Sequence, residues 1–346
     1  GPFGLENSTS LRHAVFMERS LADTLTTARG IGIAMGNAVW EKRLTWGFGA
    51  FWDADDFEKL SESRSFSFVG RLTGVVFRRD GCREQLHVGI SLGRRFMKDT
   101  LRYEARPEVN TAPRYLDTGD FSAKTLTLLN LESAYVRGPL LLQGECIWTW
   151  TSGGMRTDQV TLNDIADEVA SRYPWLTDWL QGHSGWQRPS NSVLWSIPFD
   201  MLFEGDALFF GIYGQASYVL TGEPRPYDAQ RGVFGAPAPE HPFSFRTFRG
   251  VGAWEVAARL SHLDLNEGYV RGGRETNATL GLNWYLNENM RMALNYVHGR
   301  IGRDTCEGSM DAVQMRMQID LQPRRLGEFH PLRTAEASVG ATYGGL

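Results

Sequence analysis

The sequence predicts an all-β protein, an antiparallel transmembrane β-barrel. Three observations carry that reading. Apolar and polar residues alternate with period two in about eleven segments. The connections between those segments are short at one end and long at the other. Aromatic residues are abundant, while no apolar run approaches the roughly 18 residues of a membrane-spanning helix.

The alternation is clearest in the last third. Over 251–265, Trp254, Val256, Ala258 and Leu260 share one face, and Glu255, Arg259 and Ser261 share the other. The pattern repeats over 275–287, 290–298 and 312–321, where Val313, Met315, Met317 and Ile319 alternate with Gln314, Arg316 and Gln318. A period of two over successive segments means strands with one apolar and one polar face. The same signal occurs upstream at 44–52, 65–77, 84–95, 126–137, 140–150 and 207–220, with a weaker strand at 29–38.

Connection lengths separate a membrane barrel from a soluble sandwich. Short links at Glu41–Arg43, Arg137–Pro139 and Asn287–Asn289 alternate with long polar ones at 53–64, 96–125, 151–206, 266–274 and 299–311. Short turns on one side and long loops on the other are the outer-membrane layout. The connection 151–206 is expected to carry a helix from Asp164 to Leu180 that caps the extracellular rim. A second short helix is expected near Leu21–Thr26. The link 221–250 falls at the short-turn end although it is long and rich in Pro, so it is expected to fold back towards the lumen.

Composition narrows the function classes. The 346 residues carry a net charge of -4, so no global field draws the chain to nucleic acid. Mean hydropathy is -0.31 with 42% hydrophobic residues, as expected for strands apolar on one side only. The 11 Trp, 11 Tyr and 19 Phe suit interfacial girdles. Cys82, Cys146 and Cys306 form no CxxC motif and read as isolated thiols.

No catalytic constellation emerges, and the chain is expected not to be an enzyme. Ser261 and His262 are adjacent, so alternation sends them to opposite faces and they cannot pair as nucleophile and base. Asp53, Asp55 and Asp56 read as a solvated loop in preference to a cation site. No metal and no cofactor is expected. What the polar faces do present is arginine: Arg71, Arg95, Arg259, Arg291 and Arg316 point to the lumen. Arginine suits a conducting wall because its charge never titrates away and its planar fork matches oxyanions. The structural reading is that these arginines pair with Glu132, Glu145 and Glu255.

Four stretches, in order, carry a resemblance: Gly4-Leu5-Glu6 with Glu18-Arg19-Ser20, Leu220 to Arg225, Gly252 to Glu255, and Leu280 to Tyr285. They resemble the phosphate-selective porin O/P family from Gly1 to about Leu321, interrupted by 151–206. The resemblance implies a sixteen-stranded trimeric outer-membrane barrel of the Gram-negative type. It implies a loop folded into the pore, wall arginines that guide anions, and a lysine cluster at the constriction. Loop 1–28 then becomes the constriction, 29–321 the barrel with its 151–206 insertion, and 322–346 a tail of unclear role. Arg12 and Arg19 fall in the matched constriction segment, and Arg102, Arg106 and Arg114 where the family keeps part of its arginine ladder.

The resemblance also marks departures. About five family strands precede the match to Gly1, and the chain opens with no Met, so it reads as N-terminally truncated, with about 11 of 16 strands present. The family's constriction lysines fall on Asn7, Arg12, Asp228 and Arg231/Gly232. The expectation is therefore a passive channel for small anions without a tight phosphate site. The expected partners are those anions, the lipid bilayer with lipopolysaccharide, and further copies in a homotrimer. A weakly selective porin, and a structural or adhesive barrel plugged by 151–206, are the alternatives.

Overall fold

A computed structural model describes residues 2–26, 30–52, 65–79, 83–97, 100–156, 205–268, 270–303 and 306–320. The helix expected at Asp164–Leu180, the acidic loop at Asp53–Asp56 and the tail 322–346 lie outside these residues.

The wall begins with β1 (Ile31–Val39), β2 (Leu44–Trp52), β3 (Phe66–Arg79) and β4 (Glu84–Phe96). Four two-residue strands follow: β5 (Thr100–Leu101), β6 (Glu104–Ala105), β7 (Leu116–Asp117) and β8 (Phe121–Ser122). The wall resumes with β9 (Thr125–Arg137), β10 (Leu140–Arg156) and β11 (Gly205–Val219). The hairpin β12 (Tyr227–Asp228) and β13 (Val233–Phe234) stands apart. The wall ends with β14 (Ala253–Glu267), β15 (Val270–Asn287), β16 (Met290–Arg303) and β17 (Cys306–Ile319). The long strands pair antiparallel in the order β1-β2-β3-β4-β9-β10-β11-β14-β15-β16-β17, each beside its sequence neighbour in the wall. This is a porin-like antiparallel wall, with β1 and β17 at its edges among the described residues.

The period of two decides which way each side chain points. Leu280, Met315, Met317 and Ile319 are exposed, Met315 to 74%, while their neighbours Asn283 and Arg291 are buried. A water-soluble fold would bury the apolar set; this one turns it outward and hides the polar set. Aromatic pairs flank the outward apolar band. Trp254 stacks on Trp284 with ring centroids 5.1 Å apart at the short-turn end. Trp148 and Phe210, 5.5 Å apart, and Trp52 and Phe66, 5.0 Å apart, lie towards the other end.

Two of the expected long loops are not loops. β14 runs to Glu267 and β15 starts at Val270, so the loop 266–274 is a tight turn at Gly268. Likewise β16 and β17 extend through most of 299–311. Beyond the apolar band the outward positions Asp264, Arg274, Thr276, His298 and Arg300 are polar as well. The outward-apolar pattern that marks the strands below ends there, since the apolar residues Leu263, Leu265 and Val270 now point inward, although the ladder continues. β10 and β11 similarly extend into 151–206, to Arg156 and from Gly205.

Three segments lie against the polar face: 2–26, 100–124 and, within the link 221–250, residues 225–236. The first holds a helix α1 (Leu5–Ser8) that alternation gave no sign of, and a 3-10 turn at Leu21–Leu25 where a helix was expected. Phe3, Leu21, Ala22 and Leu25 form one apolar cluster with Val69, Leu128, Ile147, Phe209 and Leu263. Those wall residues come from five strands between β3 and β14, which must curl around the segment to touch it together.

Candidate functional site

The polar face is built from the wall outward to the segments it holds. Glu145 on β10 is buried and accepts the Leu5 and Glu6 N–H groups at 2.8 and 2.6 Å. Those amides open α1, whose N-cap Gly4 offers no side chain, so a wall carboxylate satisfies them. Asn130 and the Tyr213 hydroxyl also donate to Glu145, at 2.7 and 2.6 Å. Gly4 has φ 68, and a Cβ there would sit 2.5 Å from the Asn130 amide. Only glycine fits.

Downstream, four backbone carbonyls face three wall arginines. Arg291 donates to the carbonyls of Ala14 and Val15 at 2.6 and 2.5 Å. Arg316 donates to the Met17 carbonyl at 2.9 Å, and Arg259 to that of Glu18 at 3.1 Å. The Arg259 guanidinium also lies over the Phe16 ring, 4.5 Å from its centroid. Glu6 accepts from the Ser20 amide and hydroxyl and from Arg259, the last at 3.2 Å. Burial nevertheless pushes the Glu6 carboxyl up to about 8, against the pull of Arg259.

Segment 100–124 delivers Glu108, which holds a left-handed backbone at φ 57. Its carboxylate accepts from Arg259, Ser261 and Thr279 on β14 and β15, and from the Leu21 amide. One acid thus ties two interior segments to the wall. Elsewhere in the segment Arg102 pairs with Asp117 at 2.6 Å and with Glu104 at 3.3 Å. The Arg102 hydrogen bond holds the Asp117 carboxyl down to about 2. Arg114 pairs with Glu104, and Arg106 donates to the Ala112 carbonyl at 3.1 Å.

Of the link 221–250, residues 225–236 fold back as its position suggested, while Phe243 packs on Trp284 at the outer face. Arg71 on β3 is bonded to Glu132 at 2.6 Å and to the carbonyls of Arg231 and Gly232 at 2.9 Å each. His87 bridges Glu132 and the Tyr227 hydroxyl. Arg225 binds Glu255 at 2.6 Å and the Gly235 carbonyl at 2.9 Å. Buried arginines with several acceptors are what a low-dielectric interior requires, because an unpaired charge there is costly.

The ten arginines singled out from sequence therefore fall into groups, with Arg114 on Glu104. Arg259, Arg291 and Arg316 converge on residues 14–18, while Arg71 sits at a second centre with Glu132. Arg95 is half-buried on the polar face. Arg19 bonds Asp23 and the Asn7 carbonyl, and Arg12 bonds Asp320 at 2.9 Å with its side chain half exposed. Arg102 and Arg106 are exposed, apart from the others. Of the positions matched to lysines, Asn7 donates to Asp23 and Thr26, and Asp228 caps the amides of Gln230 and Arg231. Three anchors were given no role by the sequence reading, Glu6, Glu108 and Arg225, although Glu6 and Arg225 stand in the motifs that carry the resemblance. Each lies in an aperiodic segment, where alternation says nothing about direction.

Ser261 is buried inward and its neighbour His262 faces out to Thr276, so the two do not meet. Among the described residues, no group of three or more His, Cys, Asp and Glu is arranged to hold a metal ion.

The phosphate-selective porin O and P family model matches residues 1–166 and 204–321. Porin O of Pseudomonas aeruginosa is 24% identical over 322 residues, covering 88% of this chain and 64% of its own length. An uncharacterized protein of Caulobacter vibrioides is 26% identical over 312 residues, covering 85% of this chain and 51% of its own. The chain thus spans less than two thirds of either relative.

Proposed function

The chain belongs to the phosphate-selective porin O and P family, and on that premise we propose that it works as an outer-membrane channel for passive diffusion of small anions. One observation carries the reading: a segment, 2–26, is held inside a wall whose outer face is apolar, and three arginines, Arg259, Arg291 and Arg316, converge on its residues 14–18, beside the carboxylates Glu145 and Glu108 that hold its other turns. Residues 1–28 act as the constriction, narrowing a wet lumen. Arg12, Arg19, Arg95, Arg291 and Arg316 attract the permeating anion. Arg71 and Arg259, bonded to buried carboxylates, position the interior segments and add to the field, and Arg102 and Arg106 draw anions towards that constriction from farther off. The working form is a homotrimer in a membrane carrying lipopolysaccharide.

Tight phosphate capture is not part of the proposal. Asn7 is neutral and Asp228 is acidic where the family places lysines, and each is already engaged by its own segment. Removing a cation from a narrow site forfeits a few kcal/mol, and about 1.4 kcal/mol is tenfold in affinity.

A planar-bilayer recording of the full-length protein in a chloride gradient tests the reading. Discrete steps with an anion-selective reversal potential, and no block by micromolar phosphate, are expected. A cation-selective reversal potential would sink the anion channel. The second reading is a plugged structural barrel, favoured by the carboxylate partners of Arg71, Arg225 and Arg259; negligible conductance would establish it in place of the first.

A further inference from the structure

Inside the wall, Arg71, Arg259, Arg291 and Arg316 all have acceptors. Arg274 and Arg300, outside, have none among the described residues. Arg274 on β15 and Arg300 on β16 face outward and exposed, and among the described residues neither reaches a carboxylate. The strand register places them in adjacent rows: Thr276, Arg300 and Ser309 form one, and Arg274, Gly302 and Glu307 the next. Together these side chains line a cleft of about 490 Å³. Arg274 lies along Gly302, where the missing side chain leaves it room.

Directly below, the outward surface is hollowed. Gly144 pairs with Gly214 across β10 and β11, Gly214 with Leu260, and Leu260 with Ala278. In the next row stand Ala216 and Ala258. A Cβ built on Gly214 would meet nothing within 4 Å, so no packing constraint demands glycine there. The result is a groove of about 610 Å³, bounded by Tyr135, Leu142, Leu260 and Leu280. Groove and cleft meet on β15, where Ala278 lines one and Thr276 the other. Two residues along a strand span about 7 Å, a span that fits the step from a lipid's acyl chain to its headgroup.

We propose that this face binds a phosphate-bearing glycolipid of the outer leaflet. One acyl chain fills the small-residue groove, and the phosphate sits on Arg274 and Arg300. Paired guanidinium forks give a phosphate oxygen several charge-assisted donors. The Thr276 and Ser309 hydroxyls add donors, and Glu307 accepts from a headgroup hydroxyl. The inference rests on the outward face being the membrane face, and not on what the lumen carries.

The test uses the full-length protein in detergent micelles, with native mass spectrometry as the readout. The probes are a diphosphorylated, lipopolysaccharide-type glycolipid and the same lipid dephosphorylated. Wild type is expected to retain the phosphorylated form by about tenfold or more over the other. Arg274→Gln with Arg300→Gln should bring the two lipids to parity. Ala278→Leu, which fills the groove, should weaken both alike. Inorganic phosphate at millimolar concentration should displace neither. Equal retention of both lipids by wild type would overturn the proposal, as would a preference that survives the double substitution. Displacement by inorganic phosphate would reassign the cleft to a free anion and overturn the lipid. A cross-link through the cleft to a second copy, at the expense of lipid, would overturn it in favour of a subunit interface. Conductance measured on the same samples separates this failure from failure of the channel reading, since the cleft is outside the lumen.

Discussion

The hairpin β15–β16 and the segment 2–26 touch each other through Asn283, Arg291 and the Val15 carbonyl, yet they are held in place by different means. The hairpin is held by a continuous ladder of neighbours close in sequence, and it turns Leu280, Leu294 and Tyr296 to its outer face. The segment has no ladder. It hangs on a few buried carboxylates and guanidiniums from residues as far as 299 positions away. A ladder spreads its stability over many modest bonds, whereas a buried charge concentrates it in one. The difference teaches where each region is fragile: the wall to a charge placed on its lipid face, the segment to the loss of a single charged anchor.

The largest effect should come from Arg259. Replacing it with Ala leaves the buried Glu108 without its cation, and breaking a buried pair costs about 3–5 kcal/mol. Limited proteolysis should then cut within 2–26 while the β-sheet circular dichroism of the wall persists. Loss of both together would show that segment and wall form one cooperative unit, and the contrast drawn above would fail.

The wall's own weakness is tested by Leu280→Lys. A lysine on the lipid face near the bilayer centre costs about 2–4 kcal/mol. Equilibrium folding into lipid vesicles should show that loss with no new cleavage in 2–26. A variant as stable as wild type would place Leu280 away from lipid.

A smaller loss is expected from Glu145→Gln. The amide keeps one acceptor oxygen but turns its NH₂ towards one of the Leu5 and Glu6 amides, which bond different oxygens, so about 1–3 kcal/mol of docking goes. Single-channel recordings should show noisier, larger steps as α1 loosens. Unchanged traces would mean that Glu145 matters to the wall alone.

The most graded effect is that of pH. Burial lifts the Glu6 carboxyl from 4.5 to about 8, so the docked segment holds this proton more tightly than the released one. Its contribution to docking is therefore fully present below about pH 4.5, and is lost as pH rises through 8. Proteolysis within 2–26 should be slower at pH 5 than at pH 9, and Glu6→Gln should flatten that dependence. The opposite trend would mean that Arg259 governs the ionisation of Glu6 more than burial does.

Sequence by itself determined the wall. Eleven segments of alternation correspond to the eleven long strands among the described residues, with errors confined to their ends. Leu280, Met315 and Arg291 face as their parity required, because a strand has only two sides and a one-residue slip would reverse them all. Alternation ran out above the apolar band, where the outward face turns polar, Gly272, Gly273 and Gly308 interrupt the inward one, and the strand extensions could not be told from loops. The interior was decided by tertiary structure alone. Which carboxylate meets Arg259, why Glu145 rather than a capping side chain closes α1, and where Arg225 goes depend on contacts between aperiodic segments and distant strands. Such contacts leave no local period in the chain. They exist only once the curled wall brings β3, β10 and β14 around the same few side chains and denies those charges water.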